Sequence, residues 1–225
     1  MINNQNIRDS KDVYYKNYDN LPRFISYFHQ IDLIKQLNPK DILEVGIGNK
    51  TVSNYLTQHD FNVKTCDINK TLEPDYTGDI RKLPFKSNLF DLILACEILE
   101  HLPWQDFEKS LNELYRVTRK YLIISIPYSS ITLELIISIP IIRKILKINF
   151  PVIDLFIRVP LIFLKKSFDG YHYWEMGRKK HSIRKIRNVL KRKFDIIKEV
   201  RPILNPYHYF FVLKKRNNKS SKSPS

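Results

Sequence analysis

Apolar and polar residues recur along the chain in two different periods, and each period predicts one class of element. Short apolar runs bounded by turn residues predict strands over residues 41–45, 62–67, 76–80, 90–96 and 121–126. Apolar residues at helical spacing predict helices over residues 21–37, 51–58, 104–118 and 182–193. Strands that alternate with helices in this way predict an α/β fold with a parallel sheet and right-handed crossovers.

Residues 128–170 depart from this alternation, because they are apolar but are interrupted by prolines and single cations. Farther along, residues 194–200 and 208–213 predict two closing strands whose short connection suits an antiparallel pair. We therefore expect a single domain over residues 1–215, with residues 1–20 as a loosely ordered lead-in and 128–170 as an insertion. The basic, Ser-rich residues 216–225 predict a disordered tail.

The charge of the chain is concentrated in its second half. The 225 residues suit one domain and carry a formal net charge of +15. Residues 1–127 have a net charge of −1, whereas residues 128–225 have a net charge of +16. One half is therefore expected to carry the chemistry, while the other faces an anionic partner.

The composition excludes several classes of protein. Two cysteines, Cys66 and Cys96, are too few for a disulfide scaffold, and no Cys/His set has the spacing of a zinc site, so no metal ligands are predicted. The N-terminus is polar, which is unlike a secretory signal, and no apolar run reaches the length of about 18 residues that a spanning helix needs. We expect a reduced, cytoplasmic protein that is either free or peripheral at the inner face of a membrane.

Candidate chemistry lies where the predicted strands end. Residues 44–51 read Glu-Val-Gly-Ile-Gly-Asn-Lys-Thr between a strand and a helix, where Gly46 and Gly48 let the backbone approach a ligand. Asp67 ends the second predicted strand, Asp79 ends the third, and Glu97 follows the fourth. Open α/β sheets bind ligands at the carboxyl ends of their strands, so these acids are expected to meet at one edge.

These motifs resemble those of the class I S-adenosylmethionine-dependent methyltransferases, and most closely the small-molecule branch that includes quinone-ring methyltransferases. The motifs are E-V-G-I-G at 44–48, C-D-I at 66–68, G-D-I at 78–80, L-P-F at 83–85, F-D-L-I-L-A-C-E at 90–97 and E-H-L at 100–102. The resemblance implies a Rossmann-like fold whose seven-stranded, mostly parallel sheet has an antiparallel last strand and helices on both faces. It also implies S-adenosyl-L-methionine as the cofactor.

The resemblance further implies roles for individual residues. Glu44, Gly46 and Gly48 would border the methionine moiety of the cofactor, and Asp67 would hold the ribose, with Ile68 next to it. Asp79 and Ile80 would contact adenine, and Cys96 would lie beside the sulfonium. In this loop, residues 49–51 follow Gly48 where the third glycine usually stands.

Other nucleotide-binding functions fit the same residues less well. A dinucleotide dehydrogenase would place a third glycine where Thr51 stands, and a phosphate-binding loop would place glycine rather than Asn49 before Lys50. A nucleotide fold that has lost its ligand stays open, although the acids at positions 44, 67 and 79 argue against it.

The candidate catalytic residues on the acceptor side are Glu97, His101, His172 and Glu175. His101 either lines the substrate mouth or only precedes a helix. The segment 171–177, Tyr-His-Tyr-Trp-Glu-Met-Gly, either anchors the end of the insertion through its aromatic residues or supplies a proton acceptor through His172 or Glu175. His208 and its two tyrosine neighbours form a weaker candidate.

The insertion suggests where the acceptor comes from. Residues 131–168 mix apolar residues with scattered cations, which suits either a lid over the site or a segment lying on an anionic membrane. An RNA-binding surface is disfavoured, because no RNA-binding module is present. We expect methyl transfer by in-line displacement to a small-molecule or lipid-linked acceptor. The alternative is a non-catalytic membrane- or RNA-associated binding module on the same fold.

Overall fold

The computed structural model describes Tyr14 and residues 18–138, 152–165 and 170–216. Within these ranges, helices α1 to α4 span Leu21–Leu37, Thr51–Gln58, Trp104–Val117 and Ile183–Leu190. Strands β1 to β9 span Asp41–Val45, Asn62–Asp67, Tyr76–Thr77, Phe90–Cys96, Thr118–Pro127, Ser130–Ser138, Val152–Pro160, Phe194–Val200 and His208–Lys215. The expected loose lead-in and disordered tail fall largely outside the described residues.

Seven strands form one sheet in the order β3-β2-β1-β4-β5-β9-β8. Strands β1 to β5 pair in parallel with their neighbours, whereas β9 runs antiparallel to both β5 and β8. The predicted seven-stranded, mostly parallel sheet with an antiparallel last strand is therefore confirmed. The chain proceeds outward from β1 to β3 on one side of the sheet and from β4 to β5 on the other, so the strand order changes direction between β1 and β4. The loops after β1 and β4 therefore open toward each other at the carboxyl edge.

The parallel strands are buried on both faces, which explains their nearly continuous apolar sequences. On one face, α3 and α4 pack over alternate residues of the central strands through Phe107, Leu111, Leu114, Ile186 and Leu190. On the other face, α1 and α2 cover the intervening residues through Tyr27, Leu33, Ile34, Val52 and Leu56. Helices thus lie on both faces of the sheet, as expected.

Several element boundaries differ from the predicted ones for local reasons. Strand β3 ends at Thr77 rather than near residue 80, because the Asp79 carboxylate accepts the Arg81 N–H at 2.8 Å and the chain turns there. Strand β5 begins at Thr118, whose hydroxyl donates to the Leu114 carbonyl at 2.6 Å and ends α3 without an intervening loop.

Strands β6 and β7, in the insertion, form a separate two-stranded antiparallel sheet, which we call the β6–β7 hairpin. One face of the hairpin is turned inward and carries two acids, Glu134 and Asp154, both of which pair with Arg201. The opposite face is apolar and exposed, and it consists of Ile131, Leu133, Leu135, Ile137, Ile153, Leu155, Ile157 and Val159. The connecting residues 139–151 lie outside the described ranges. Among the described residues, no helix is long and apolar enough to cross a membrane.

Candidate active site at the carboxyl edge of the sheet

The loop after β1 has the backbone conformation that its glycines allow. Gly46 and Gly48 have φ angles of +79° and +51°, in the left-handed region that disfavours other residues. A Cβ atom at Gly46 would lie 2.3 Å from Cγ2 of Ile98, in the turn that follows β4. Glycine at position 46 therefore lets the β1 loop press against the β4 loop, which brings the two candidate ligand loops into contact.

Asn49 stabilises the part of the loop where a third glycine would usually stand. Its side-chain oxygen accepts the Thr51 N–H at 3.2 Å and the Thr51 hydroxyl at 2.8 Å, which fixes the start of α2. Its amide donates to the Asp19 carboxylate at 2.9 Å. A Cβ atom at Gly48 would lie 3.7 Å from the Tyr14 ring and 3.8 Å from the Tyr18 hydroxyl. Tyr14 and Tyr18, which precede α1, therefore cover this loop.

Asp67 lies at the end of β2, beside the glycine loop. Its carboxylate accepts the Ile47 N–H at 2.9 Å and the Asn69 N–H at 2.8 Å. Burial raises the pKa of Asp67, and these N–H groups oppose that shift. A carboxylate offers about four lone-pair positions, so Asp67 keeps acceptor capacity for hydroxyl groups. Ile68, next in the chain, exposes its apolar side chain beside the carboxylate.

Glu44 lies beneath the loop, at the penultimate position of β1. The side chain is buried, and its Oε2 atom has no hydrogen-bond partner. Burial raises the pKa of Glu44 to about 8, although hydrogen bonds from Ser53 oppose the shift. An orphaned acceptor under an open backbone loop is a place where a cationic ligand group would be stabilised.

Asp79 and Ile80, which the resemblance places beside adenine, occupy the turn after β3. The Arg81 guanidinium donates to both Asp79 oxygens at 3.0 Å or less and also reaches Asp106 in α3. This guanidinium holds the pKa of Asp79 below its usual range. Ile80 is buried. The structure thus places Asp79 at the edge with its carboxylate engaged by an arginine.

Glu97 and Cys96 end the fourth strand at the centre of the edge. Glu97 has a φ of +53°, accepts the Ser125 hydroxyl at 2.7 Å, and lies 3.3 Å from His208 Nε2. Burial lowers the pKa of His208, and Glu97 opposes that shift. Burial also raises the pKa of Cys96 well above its usual value, so this thiol stays protonated. Both cysteines are free, and β1 lies between the strands that carry them.

The segment 171–177 is fastened to this edge by backbone and side-chain hydrogen bonds. The Tyr173 N–H donates to the Glu100 carbonyl at 2.9 Å, and the Trp174 indole donates to the Leu102 carbonyl at 3.1 Å. Trp174 is fully buried, and a Cβ atom at Gly177 would lie 2.4 Å from the Ser129 carbonyl. Trp174 therefore anchors the segment, as one of the two interpretations predicts. Because the segment is anchored there, His172 and Glu175 lie at the site.

The Glu175 carboxylate contacts four polar side chains at this edge of the sheet. Its Oε1 atom accepts the Tyr207 hydroxyl at 3.0 Å and lies 3.2 Å from His172 Nδ1. Its Oε2 atom accepts the Ser129 hydroxyl, and Arg178 lies 3.5 Å away. Burial raises the pKa of Tyr207, and the Glu175 carboxylate adds to that effect. Three loops thus converge on one buried carboxylate.

Glu100, which the sequence did not single out, lies in the short turn at Leu99–His101. It is fully buried, and neither carboxylate oxygen has a hydrogen-bond partner. Burial raises the pKa of Glu100 well above its usual value, and the nearby Glu97 and Glu175 carboxylates add to the shift. The Nε2 atoms of His101 and His172 each lie 4.0 Å from Glu100 Oε1. The sequence feature that could have indicated Glu100 is the pair Glu100-His101, which begins three residues after Glu97.

The structure therefore gathers most of the predicted site residues at one edge. Glu44, Gly46, Gly48 and Asp67 surround the β1 loop, and Glu97 continues this set onto the β4 loop. His101, His172 and Glu175 form a second group next to it, together with Glu100, Ser129, Tyr207 and His208. Such a pair of groups suits a donor pocket with an acceptor pocket beside it.

Part of the chain is similar in sequence to known proteins. Residues 43–124 match the family model described as a methyltransferase domain. Among curated proteins, an uncharacterized protein of Methanocaldococcus jannaschii is 35% identical over 101 residues. That match covers 41% of this chain and 44% of the relative, so it spans less than half of that protein's length.

Solved structures show the same fold at low sequence identity. A magnesium protoporphyrin IX methyltransferase from Synechocystis, crystallised with S-adenosylhomocysteine, is 14% identical with a TM-score of 0.60. The match covers 94% of this chain and 95% of that one. A 1,6-didemethyltoxoflavin-N1-methyltransferase from Burkholderia thailandensis is 13% identical with a TM-score of 0.58, over 95% of this chain and 85% of that one. The sheet described above thus belongs to the same fold as these two methyltransferase structures.

Proposed function

We propose that this chain, which carries a methyltransferase domain over residues 43–124, transfers a methyl group from S-adenosyl-L-methionine to a small-molecule acceptor. The observation that carries the proposal is the glycine loop: Gly46 and Gly48 hold it open beside the Asp67 carboxylate, which binds the loop at Ile47. The non-catalytic alternative gains no support from the relatives that match the fold.

The residues at this edge fit the cofactor's chemistry. The unpartnered Oε2 atom of Glu44 is buried below the loop and suits the ammonium end of the donor. Asp67 uses two of its acceptor positions on backbone N–H groups, which leaves capacity for the two ribose hydroxyls. Tyr14 and Tyr18 lie over Gly48 and would exclude water from the bound donor.

The cofactor supplies a methyl carbon that its sulfonium already activates, so the protein mainly needs to align the acceptor with that carbon. Glu97 and Glu175 would hold the acceptor from two sides, because each is fixed by a serine hydroxyl and a histidine. His172 lies within hydrogen-bonding reach of Glu175 and orients that carboxylate, while His208, beside Glu97, can take a proton from an acidic acceptor group.

Calorimetric titration with S-adenosyl-L-methionine tests the donor site. Asp67→Ala is expected to raise the dissociation constant at least about tenfold, because about 1.4 kcal/mol of hydrogen bonding is lost. Asp32→Ala is the matched control, since Asp32 lies on α1, where its carboxylate accepts a hydrogen bond from the Gln36 side chain. Unchanged donor affinity in Asp67→Ala would refute the donor assignment. Transfer of label from the donor to an acceptor in cell extract then separates an enzyme from a binding module.

We further infer that the acceptor is lipid-borne and is reached at an anionic membrane surface. The apolar face of the β6–β7 hairpin supports this inference, because eight large aliphatic side chains stand exposed on one continuous face. Phe163, which follows the hairpin, is 85% exposed. The sequence between the two strands adds Arg143, Lys144 and Lys147, which would be attracted to anionic headgroups.

Sedimentation with phosphatidylcholine vesicles, with and without phosphatidylglycerol, tests the membrane surface. We expect binding to the anionic vesicles that weakens as salt is added. The double change Leu133→Asp and Leu155→Asp should reduce binding by about tenfold or more, because two exposed aliphatic side chains that would insert into the lipid are lost. Phe28→Asp, on the exposed part of α1, is the control. A stable dimer that sediments with no vesicle would instead show that a second copy covers this face.

A further inference from the structure

We propose that Glu100, His101 and His172 bind a divalent transition-metal cation of the Zn²⁺ class beside the acceptor pocket. One oxygen of Glu100 and one nitrogen from each histidine lie within 4.8 Å of one another. Two imidazoles and one carboxylate are a ligand set that Zn²⁺ and related ions use when they keep a position open for another ligand. The site consists of residues from two segments that are 71 positions apart, Glu100–His101 and His172.

Glu100 gives the strongest reason to expect a cation. Its side chain is fully buried, and both of its oxygens lack a hydrogen-bond partner. A buried carboxylate without a donor is costly, and the other acids nearby, Glu97 and Glu175, make the site more negative. A divalent cation would satisfy the carboxylate directly.

The two histidines are held in the tautomer that metal binding requires. His101 Nδ1 lies 2.8 Å from the Tyr171 carbonyl, which can only accept, so this nitrogen carries the proton. His172 Nδ1 lies 3.2 Å from Glu175 Oε1, which forms a carboxylate–histidine pair. Each Nε2 atom then has its lone pair, and each points to within 4.0 Å of Glu100 Oε1. Such outer partners are the usual support of metal-binding histidines.

The three donor atoms, which lie within 4.8 Å of one another, would move slightly closer together when a cation binds. Metal–ligand bonds of about 2.0–2.2 Å would draw the three donor atoms together by roughly 1 Å. The supporting elements are held in place while this happens: Tyr173 N–H binds the Glu100 carbonyl, and the two imidazole rings already meet edge to face with centroids 5.0 Å apart.

Direct titration of the chelator-treated full chain with Zn²⁺ tests the site, and Co²⁺ provides an absorption signature of imidazole ligation. We expect one equivalent to bind, and we expect His172→Ala and Glu100→Gln each to weaken binding by at least about tenfold. His59→Ala is the matched control, because His59 follows the C-terminal end of α2, where its ring stacks on Tyr55. Glu100→Gln keeps the volume of the side chain, so its thermal unfolding verifies that lost binding is not lost folding.

The measured affinity for Zn²⁺ does not depend on whether the protein transfers methyl groups. Zn²⁺ binding that the His59 variant keeps and the three site variants (Glu100→Gln, His101→Ala and His172→Ala) lose supports the site, even if no methyl turnover is found. Absence of stoichiometric binding, or equal affinity in all variants, would overturn the metal site and would leave the donor assignment at Asp67 intact.

Discussion

The central sheet and the β6–β7 hairpin bury their side chains in opposite ways. In the sheet, aliphatic residues such as Leu92 and Ile123 are completely buried, and charged residues lie at the edges. In the hairpin, aliphatic residues point outward, while Glu134 and Asp154 face Arg201 on the inside. Helices cover the aliphatic residues of the sheet, whereas those on the outer face of the hairpin are exposed, and our membrane proposal rests on that difference. The hairpin lies in the basic half of the chain, whereas five of the seven strands of the sheet, β1 to β5, lie in the near-neutral half.

The largest expected effect is a pair of leucine truncations, one in each region. Leu92→Ala removes a side chain that is completely buried between α1 and the sheet, and it should lower the free energy of unfolding by about 3–5 kcal/mol. Leu133→Ala removes one that is 65% exposed and should change it by less than about 0.5 kcal/mol. Urea unfolding of both variants measures the contrast.

The order of these two variants should reverse in the vesicle assay. Leu133→Ala loses an aliphatic contact with lipid and should bind less tightly, whereas Leu92→Ala, at a temperature where it is folded, should bind like the parent chain. A large loss of stability in Leu133→Ala would break the comparison, because it would mean that the hairpin's apolar face is packed against protein.

The next largest effect is a pH dependence of the free energy of unfolding, which we expect from Glu44 in β1 of the sheet. Burial raises the pKa of Glu44 from 4.5 to about 8, so the folded state holds this proton more tightly than the unfolded state does. Stability should therefore fall as the pH rises from about 4.5 to 8, by an amount on the order of 5 kcal/mol, since each pKa unit corresponds to about 1.4 kcal/mol. Thermal unfolding across this range measures the slope.

Glu44→Gln should flatten that slope, because the amide has no proton to lose while it keeps the shape of the side chain. Glu108→Gln is the matched control, since Glu108 lies on the surface in a salt bridge with Arg192. An unchanged slope in the Glu44 variant would mean that the pH dependence comes from another group. Glu100 is the obvious one, because burial also raises its pKa.

The sheet could be predicted from the sequence because its information is local. The period of apolar residues places the strands, and the acids Asp67 and Glu97 follow from where those strands end. Boundaries were less certain where a side chain redirects the backbone, as Asp79 does after β3. The donor half of the site therefore needed little beyond patterns within residues 41–100.

The rest depends on contacts between distant segments, which a pattern does not contain. Glu100 and His172 meet because backbone hydrogen bonds fasten residue 173 to residue 100. The polar inside of the hairpin depends on Arg201, which comes from beyond β8. From sequence alone, the alternation in β6 and β7 predicts two faces but does not say which of them is turned inward.

The smallest effect compares two arginines that each bridge two carboxylates. Arg201 joins Glu134 and Asp154 beneath the hairpin, where all three side chains are at most 20% exposed. Arg119 joins Asp41 and Asp91 at the sheet's edge and is 47% exposed. Arg201→Met should cost about 2 kcal/mol, because two acids lose their partner in a poorly hydrated place. Arg119→Met should cost less than about 1 kcal/mol, because water and salt already weaken that pair.

Amide hydrogen exchange shows which strands lose protection in each of these two arginine variants. In Arg201→Met, faster exchange should be confined to β6 and β7, because the lost charge holds the hairpin to the rest of the domain. In Arg119→Met, exchange in the hairpin should stay as it is in the parent chain. If Arg201→Met leaves the hairpin protected, its inner face is held by other contacts, such as the stacking of Arg158 on Phe156, and the charge of Arg201 is incidental. The hairpin would then follow the same burial rule as the sheet on its inner side, and only its outward aliphatic face would set it apart.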